Sequence, residues 1–150
     1  MTQLLHDISA TGMKIKVIGS VTFPAGIDIS TFADDADPLD APEMAMAEYA
    51  MDINGTLVLW RTPKPLEATI NLLPNSDEDN NMAILADTNR VAKGKASVRD
   101  VITMVITYAD GKVVVLENGA LVSAPPIVGA GSSGRLKTNA YKFVFQGKAN

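Results

Sequence analysis

Hydrophobic and polar positions alternate along several stretches of the chain with a period of two, as expected for strands with one buried face. Near the N-terminus, Met13, Ile15 and Val17 fall on one face, and two lysines fall on the other. A glycine–serine pair allows a turn into a second short strand ending at Phe23, where Pro24 is expected to interrupt the ladder. This pattern predicts two short strands at the start of the fold.

A second alternation, over residues 66–72, places leucine, alanine and isoleucine on one face. Its polar face consists of Glu67, Thr69 and Asn71. A helix is predicted next, over about residues 77–93, because Ser76 suits an N-cap, acidic residues fill the first turn, and a glycine follows at 94. The spacing of its apolar positions predicts one buried face, formed by Ile84, Leu85, Thr88, Val91 and Ala92.

The remainder of the chain has the pattern of strands joined by turns. Asn54-Gly55 predicts a hairpin turn into a strand, Asp110-Gly111 predicts another turn, and Asn118-Gly119 predicts a third that begins a separate strand. The final strand is predicted over residues 136–146. With about seven strands and one helix, residues 1–150 are expected to form a single mainly β domain, either a β-barrel or a sandwich with one packed α-helix.

Residues 24–53 show no sustained strand period and contain three prolines and seven acidic residues before Asp52. The segment also has too many large apolar side chains for a disordered linker. Loops longer than ~12–15 residues in compact domains are usually functional or disordered. This long loop is therefore expected to dock on another surface through acidic and apolar side chains: Asp34, Asp35, Asp37, Asp40, Met44, Met46 and Tyr49.

Composition excludes several classes of chemistry. The chain has no cysteine, so it can form neither a disulfide nor a thiolate metal site, and its single histidine is His6. The net charge of −4 argues against an open nucleic-acid-binding surface. No apolar run approaches the ~20 residues of a membrane span, and the N-terminus lacks the pattern of a secretory signal. The expectation is a soluble protein that folds in the cytoplasm.

Two short patterns resemble binding sites but depart from them. The segment GAGSSGRLKT, residues 129–138, has Arg135 and Leu136 where a phosphate-binding loop needs lysine and a hydroxyl, and the residues after it alternate as a strand does. The acidic cluster lacks the central glycine of a calcium loop, and position twelve counted from Asp35 is Met46. Any two carboxylates could still meet as an acid–base pair, although nothing selects a pair. No cofactor, no metal and no enzyme is predicted.

The order of elements resembles that of a known family. The succession of strand, acidic helix cap and helix over residues 66–95, followed by the closing strand in GRLKTNAYKFVFQ, is similar to a tail tube protein of contractile- or long-tailed bacteriophages. That fold is shared with the hexameric tube proteins of type VI secretion. The resemblance spans most of the chain and rests on architecture. It implies a structural virion protein whose hexameric rings stack into the hollow tail tube through which DNA passes to the host.

The resemblance also implies partners. They are further copies of the chain, the tail sheath, the baseplate initiator, the tape-measure and terminator proteins, and DNA that passes without specific binding; no membrane is involved. Residues 24–53 would carry the stacking between rings, and the polar side chains Glu67, Thr69 and Asn71 would face either the lumen or the outside solvent. Two alternatives remain open: a baseplate or tail-terminator ring of the same fold that does not polymerise, and a monomeric β-barrel binding module.

Overall fold

The computed structural model describes residues 8–149, so His6 lies outside the described residues. Seven strands form one sheet in the order β2-β1-β7-β8-β9-β6-β3, and all neighbours in it are antiparallel. Strands β4 and β5 form a separate hairpin. The elements in chain order are β1 (Lys14–Gly19), β2 (Phe23–Ile29), β3 (Leu39–Asp40), β4 (Glu48–Met51), β5 (Leu57–Trp60), β6 (Leu66–Leu72), α1 (Asp77–Thr88), β7 (Ile102–Thr107), β8 (Val113–Ser123) and β9 (Asn139–Lys148).

The mainly β fold with one helix confirms the sequence prediction. The sheet order begins at β2 and ends at β3, so within residues 8–149 the sheet is open and is not closed into a barrel. Of the two architectures that the sequence allowed, the sandwich-like one therefore describes the single chain better. The two end strands leave backbone groups available at the sheet edges, which proteins normally cover or protect.

One face of the sheet and the helix enclose the hydrophobic core. The aromatic side chains of β9 lie at its centre, and the rings of Phe143 and Phe145 stack with centroids 6.1 Å apart. Full burial of a side chain of this size stabilises the fold by about 1.5–3 kcal/mol. The predicted inward faces of β1 and β6 are confirmed by the buried residues Ile15, Val17, Ala68, Ile70 and Leu72.

The helix begins as predicted but ends earlier. The backbone N–H of Asp79 donates to Ser76 Oγ at 3.1 Å, so Ser76 is the N-cap. The helix ends at Thr88, not near residue 93, because the Asn89 side chain donates to the carbonyl of Leu85 and accepts from the backbone N–H of Asp100. These contacts turn the chain toward β7. Residues 92–95 then form a separate turn.

The predicted buried face of the helix is also wrong in part. Leu85 is buried, but Ile84 and Val91 are 51% and 72% exposed. The packed positions are Asp79, Met82 and Leu85, at intervals of three residues. The predicted face depended on positions 91 and 92, which lie beyond the end of the helix.

Asp79 connects the helix to the core through a buried polar cluster. Its carboxylate accepts two hydrogen bonds of 2.9 Å from Asn139 Nδ2 and one of 2.9 Å from the Tyr141 hydroxyl. All three residues are almost fully buried. Burial, the hydrogen bond and the charge of Asp79 raise the pKa of Tyr141 well above its usual value, so the hydroxyl remains a donor at neutral pH.

Two strands are longer than the sequence indicated. Strand β2 continues past Pro24, because β2 is an edge strand paired only with β1, where a missing N–H is tolerated. Strand β8 runs through Asn118 and Gly119 as a bulge, not as a turn between strands, with Asn118 at a φ of 54°. A Cβ at Gly119 would lie 2.7 Å from the carbonyl of Val144 and closer still to the Phe145 ring, so the strand can approach β9 only with glycine there.

Candidate assembly surface

Residues 41–65 leave the main sheet after β3 and return at β6, and we call them the arm. Its strands pair in the register Glu48↔Trp60 to Met51↔Leu57. The turn between them is closed by the Asp52 carboxylate, which accepts from the backbone N–H groups of Asn54 and Thr56 at 2.9 and 2.8 Å. Gly55 has a φ of +85°, which glycine adopts without strain. The hairpin turn predicted from Asn54-Gly55 is therefore confirmed.

The arm exposes apolar side chains on both of its faces. Every residue of β4 and β5 is exposed, and the two strands pack chiefly against each other. An isolated two-stranded hairpin is at best marginally stable in water, and contiguous exposed apolar patches usually mark interaction surfaces. The exposed large apolar residues of the arm are Met46, Tyr49, Met51, Ile53, Leu57, Val58, Leu59 and Trp60.

Polar contacts within the arm fix its shape. Trp60 Nε1 donates to Glu48 Oε2 at 2.6 Å, and Lys64 Nζ lies 3.5 Å from Glu48 Oε1. Both contacts are exposed, and an exposed ion pair contributes only about 0–1 kcal/mol. The contacts hold the second strand and its exit against the first strand without burying the apolar faces.

The predicted stacking residues divide into two groups. The arm contains Met44, Met46 and Tyr49, but it does not contain Asp34 or Asp35. Asp34 forms an ion pair with Arg135 at 3.1 Å, and the hydrogen bond from that guanidinium is the main reason why the pKa of Asp34 is lowered.

The other acidic residues of the predicted set lie along the main sheet. Asp35 accepts a hydrogen bond of 2.5 Å from the Thr138 hydroxyl. Asp40 belongs to β3 and is paired with Thr69, and the backbone carbonyl of Asp37 accepts from Asn71. The segment 129–138 thus contacts this acidic loop and leads into strand β9, so the predicted final strand exists but begins at Asn139 and ends at Lys148 instead of spanning residues 136–146.

The polar residues of β6 share the sheet face that points away from the core. Glu67 Oε1 lies 3.5 Å from Lys142 Nζ, and Thr69 is paired with Lys142 on one side and Asp40 on the other. Asn71 Nδ2 donates to the Asp37 carbonyl at 2.6 Å. The face thus carries charges of both signs. Its orientation toward a lumen stays a prediction.

Two further concave surfaces are open. One, of about 310 Å³, lies at the root of the arm and is lined by Leu39, Met44, Leu66 and Tyr108 among others; we call it the root groove. The other, of about 250 Å³, lies between α1 and the end of β8, and we call it the helix-end groove. Its apolar lining consists of Ala83, Ala86, Leu121, Val122, Ala124, Pro125 and Pro126. Sequence reasoning missed it because it joins residues about forty positions apart.

Among residues 8–149, no group of three or more histidine, aspartate or glutamate side chains is placed to hold a metal ion. No helix in the same range is long and apolar enough to cross a membrane.

The sequence profile of one family, described as tail fiber protein gp32, matches residues 6–149, nearly the whole chain. The chain belongs to the tail fiber protein gp32 family. It is therefore a phage tail-related protein, which agrees with the resemblance noted from its sequence. No curated relative matches this gp32-family protein.

Two solved structures resemble the gp32-family protein over nearly their whole lengths. The first is the PVC sheath/tube terminator of an extracellular contractile injection system in its extended state, with 10% identity, a TM-score of 0.57 and 97% of each chain covered. The second is the tube-terminating cap of the anti-feeding prophage, with 9% identity, a TM-score of 0.52, and 99% of this chain and 93% of that chain covered. At these identities the likeness establishes a shared fold.

Proposed function

We propose that this tail structural protein assembles with copies of itself into hexameric rings, and that the rings stack into a hollow tail tube. The arm is the observation that carries the proposal. It projects apolar side chains from both faces, and within residues 8–149 no element covers them. A feature of this kind is stable only when another molecule buries it.

The open sheet supports assembly into a closed ring. Strands β2 and β3 form the two ends of the sheet, and β3 is only two residues long. Sheet edges in a ring are covered by neighbouring subunits, and contacts between two different surfaces of one chain close into a ring when the rotation allows. Residues 69–72 of β6 already pair with β3 and with the segment before it, so such a contact would use the start of β6, at residues 66–68.

In the stacked tube, the polar face with Glu67, Thr69 and Asn71 lines the lumen. Each subunit carries a net charge of −4, so a wall of such subunits repels phosphate, and DNA passes without specific binding. The sheath, baseplate initiator, tape-measure and terminator proteins are the other partners of a tube with this role. Assembly takes place in the host cytoplasm, and the finished tube belongs to the virion.

A second candidate is a single ring that ends a tube and does not polymerise. Of the two similar solved structures, one is a sheath/tube terminator and the other is a tube-terminating cap. Such a ring uses the same arm for contacts with its neighbours, but only one of its two faces meets another ring. The two candidates therefore differ in whether assembly continues.

Light scattering and negative-stain electron microscopy of concentrated protein separate the candidates. The tube predicts long particles of uniform width, the terminator predicts single annuli, and monomers at all concentrations, also beside a cognate tail initiator, contradict both. A variant with residues 46–62 replaced by a short Gly-Ser linker should keep its circular dichroism spectrum, because the arm contributes nothing to the core, and should fail to assemble. Normal assembly of that variant would show that the arm is not the contact.

A further inference from the structure

The charged residues of the chain are segregated. Residues 24–53 contain eight acidic residues and no lysine or arginine. Residues 88–99 contain four basic residues and no acidic one, and we call them the basic segment. The basic segment follows the end of the helix directly, so it lies at one end of α1. The molecule thus presents an acidic region and a basic region in different places.

The basic segment adjoins the helix-end groove, because Arg90 and Asn89 contribute to the lining of that groove, together with Asp87 of the helix. Arg90 is in an exposed ion pair with Asp87 at 3.2 Å, and Lys95 binds the backbone carbonyls of Asp87 and Arg90. Lys93 is exposed. The groove therefore has an apolar floor, and the basic segment beside it outweighs the single acidic residue of its lining.

Exposed apolar side chains continue beyond the groove itself. Val122 on its wall is 52% exposed, Ile84 on the neighbouring helix face is 51% exposed, and Ile127 beyond the two prolines is 79% exposed. Within residues 8–149 nothing covers this surface.

The arm has more acidic than basic residues, opposite to the basic segment. Its acidic residues are Glu43 before the first strand, Glu48 in that strand and Asp52 in the turn, whereas its two cations, Arg61 and Lys64, follow the second strand, and Lys64 is paired with Glu48. We propose that the arm of one copy docks in the helix-end groove of a second copy, with its apolar side chains on the groove floor and its acidic side toward the basic segment. This inference rests on the proposed function, since it names the receiving surface of the assembly contact.

Charge selects this groove over the root groove. The root groove has Glu43 and Glu67 on its lining and Lys148 as its single cation, and the root of the same chain's arm forms one of its walls. An acidic arm from a second copy would meet like charge there. Like charges across an interface disfavour a pairing, and complementary charges favour it and accelerate association.

The absence of native cysteine makes disulfide cross-linking a direct test. Two proteins of distinguishable mass are mixed, one carrying Val58→Cys on the arm and the other carrying Val122→Cys in the groove. Mild oxidation should yield the mixed dimer as the main product. The control mixture pairs Val58→Cys with Tyr108→Cys, which reports docking in the root groove, and it should yield at least ten-fold less.

The outcomes separate this inference from the function on which it rests. Rings or tubes in the microscope together with cross-linking to position 108 rather than 122 would overturn the docking site and leave the assembly role intact. No cross-link at either position would also overturn the docking site. Absence of any rings or tubes would contradict the assembly role itself.

A charge reversal provides the second test. Lys93→Glu should weaken the pairing about five-fold at low salt, the size expected for one exposed charge pair, and the loss should shrink as salt rises. Lys112→Glu is the matched control, because it makes the same charge change in the exposed turn before β8 and should leave pairing unchanged. Equal effects of the two substitutions would contradict the role of the basic segment.

Discussion

Asp100 joins three separate parts of the chain, and its removal gives the sharpest stability prediction. The residue is 6% exposed and lies just before β7. Its carboxylate accepts hydrogen bonds from the backbone N–H groups of Val21 and Thr22 at 2.7 and 2.9 Å, from the Thr22 hydroxyl at 2.5 Å and from Asn89 Nδ2 at 2.8 Å. The substitution Asp100→Ala would leave all four donors without this acceptor.

The expected loss follows from the number and kind of these bonds. A hydrogen bond to a charged acceptor contributes about 1.5–3 kcal/mol, but the four bonds share one carboxylate and are not additive. Water can reach part of the site once the side chain is shortened. We therefore expect Asp100→Ala to lower the free energy of unfolding by about 3–4 kcal/mol, which for a domain of this size lowers Tm by about 10 °C.

Urea unfolding followed by far-ultraviolet circular dichroism measures this loss. The matched control is Asp110→Ala, because the Asp110 carboxylate also accepts a backbone hydrogen bond, from Lys112 at 3.0 Å, but in an exposed turn. The control should cost less than about 1 kcal/mol. If Asp100→Ala costs no more than the control, the carboxylate is not holding these three parts of the chain together.

Three further predictions concern pH, the core and the lumen. Burial raises the pKa of Asp100, but the hydrogen bonds to its carboxylate outweigh burial, and the net pKa is lowered. The free energy of unfolding should therefore fall as the pH drops from about 4 through the lower pKa of the folded state. Thermal melts of Asp100→Asn should lack part of that fall. Asp79→Ala should cost about 3 kcal/mol in urea unfolding because it leaves buried donors of Asn139 and Tyr141 unpaired, and a loss below about 1 kcal/mol would refute this. Glu67→Lys with Thr69→Arg should give normal tubes that eject DNA slowly at low salt and faster at high salt in an ejection assay; unchanged ejection would place this face outside.

The strands whose buried faces pack against other elements of the same chain were predictable from local sequence. Alternation assigned the buried faces of β1 and β6 correctly, because Val17 and Ile70 are fully buried by elements of the same chain. The turn at Asn54-Gly55 was also predictable, because a positive φ at Gly55 is a local requirement of that turn. In these places, short-range pattern and packing favour the same structure.

The end of the helix was not predictable from its own residues. Lys93 and Gly94 suit a helix end, but the helix stops at Thr88 because Asn89 is bound by Asp100, eleven residues later. Propensity is a weak preference of less than about 1 kcal/mol per residue, and tertiary hydrogen bonds override it. The position of Asp100 depends in turn on β7 and on the turn after β1.

The sequence predicts one long loop over residues 24–53, but the structure divides them into an edge strand, a short pairing with β6 and one side of the arm. Pro24 suggested a break because sequence alone does not distinguish an edge strand from a central one. The turn of the arm and its second strand were predictable, but its first strand was not, because all four residues of β4 are exposed and show no alternation of buried and exposed positions.

The early end of the helix also bears on assembly. The helix ends at Thr88 because Asn89 is bound by Asp100, and the residues that follow carry four cations, of which Arg90 lines the helix-end groove. One buried carboxylate thereby stabilises the fold and also positions the basic segment beside the proposed docking surface. We therefore expect the substitution Asp100→Ala to lower both the free energy of unfolding and the extent of assembly, whereas Lys93→Glu should lower assembly alone.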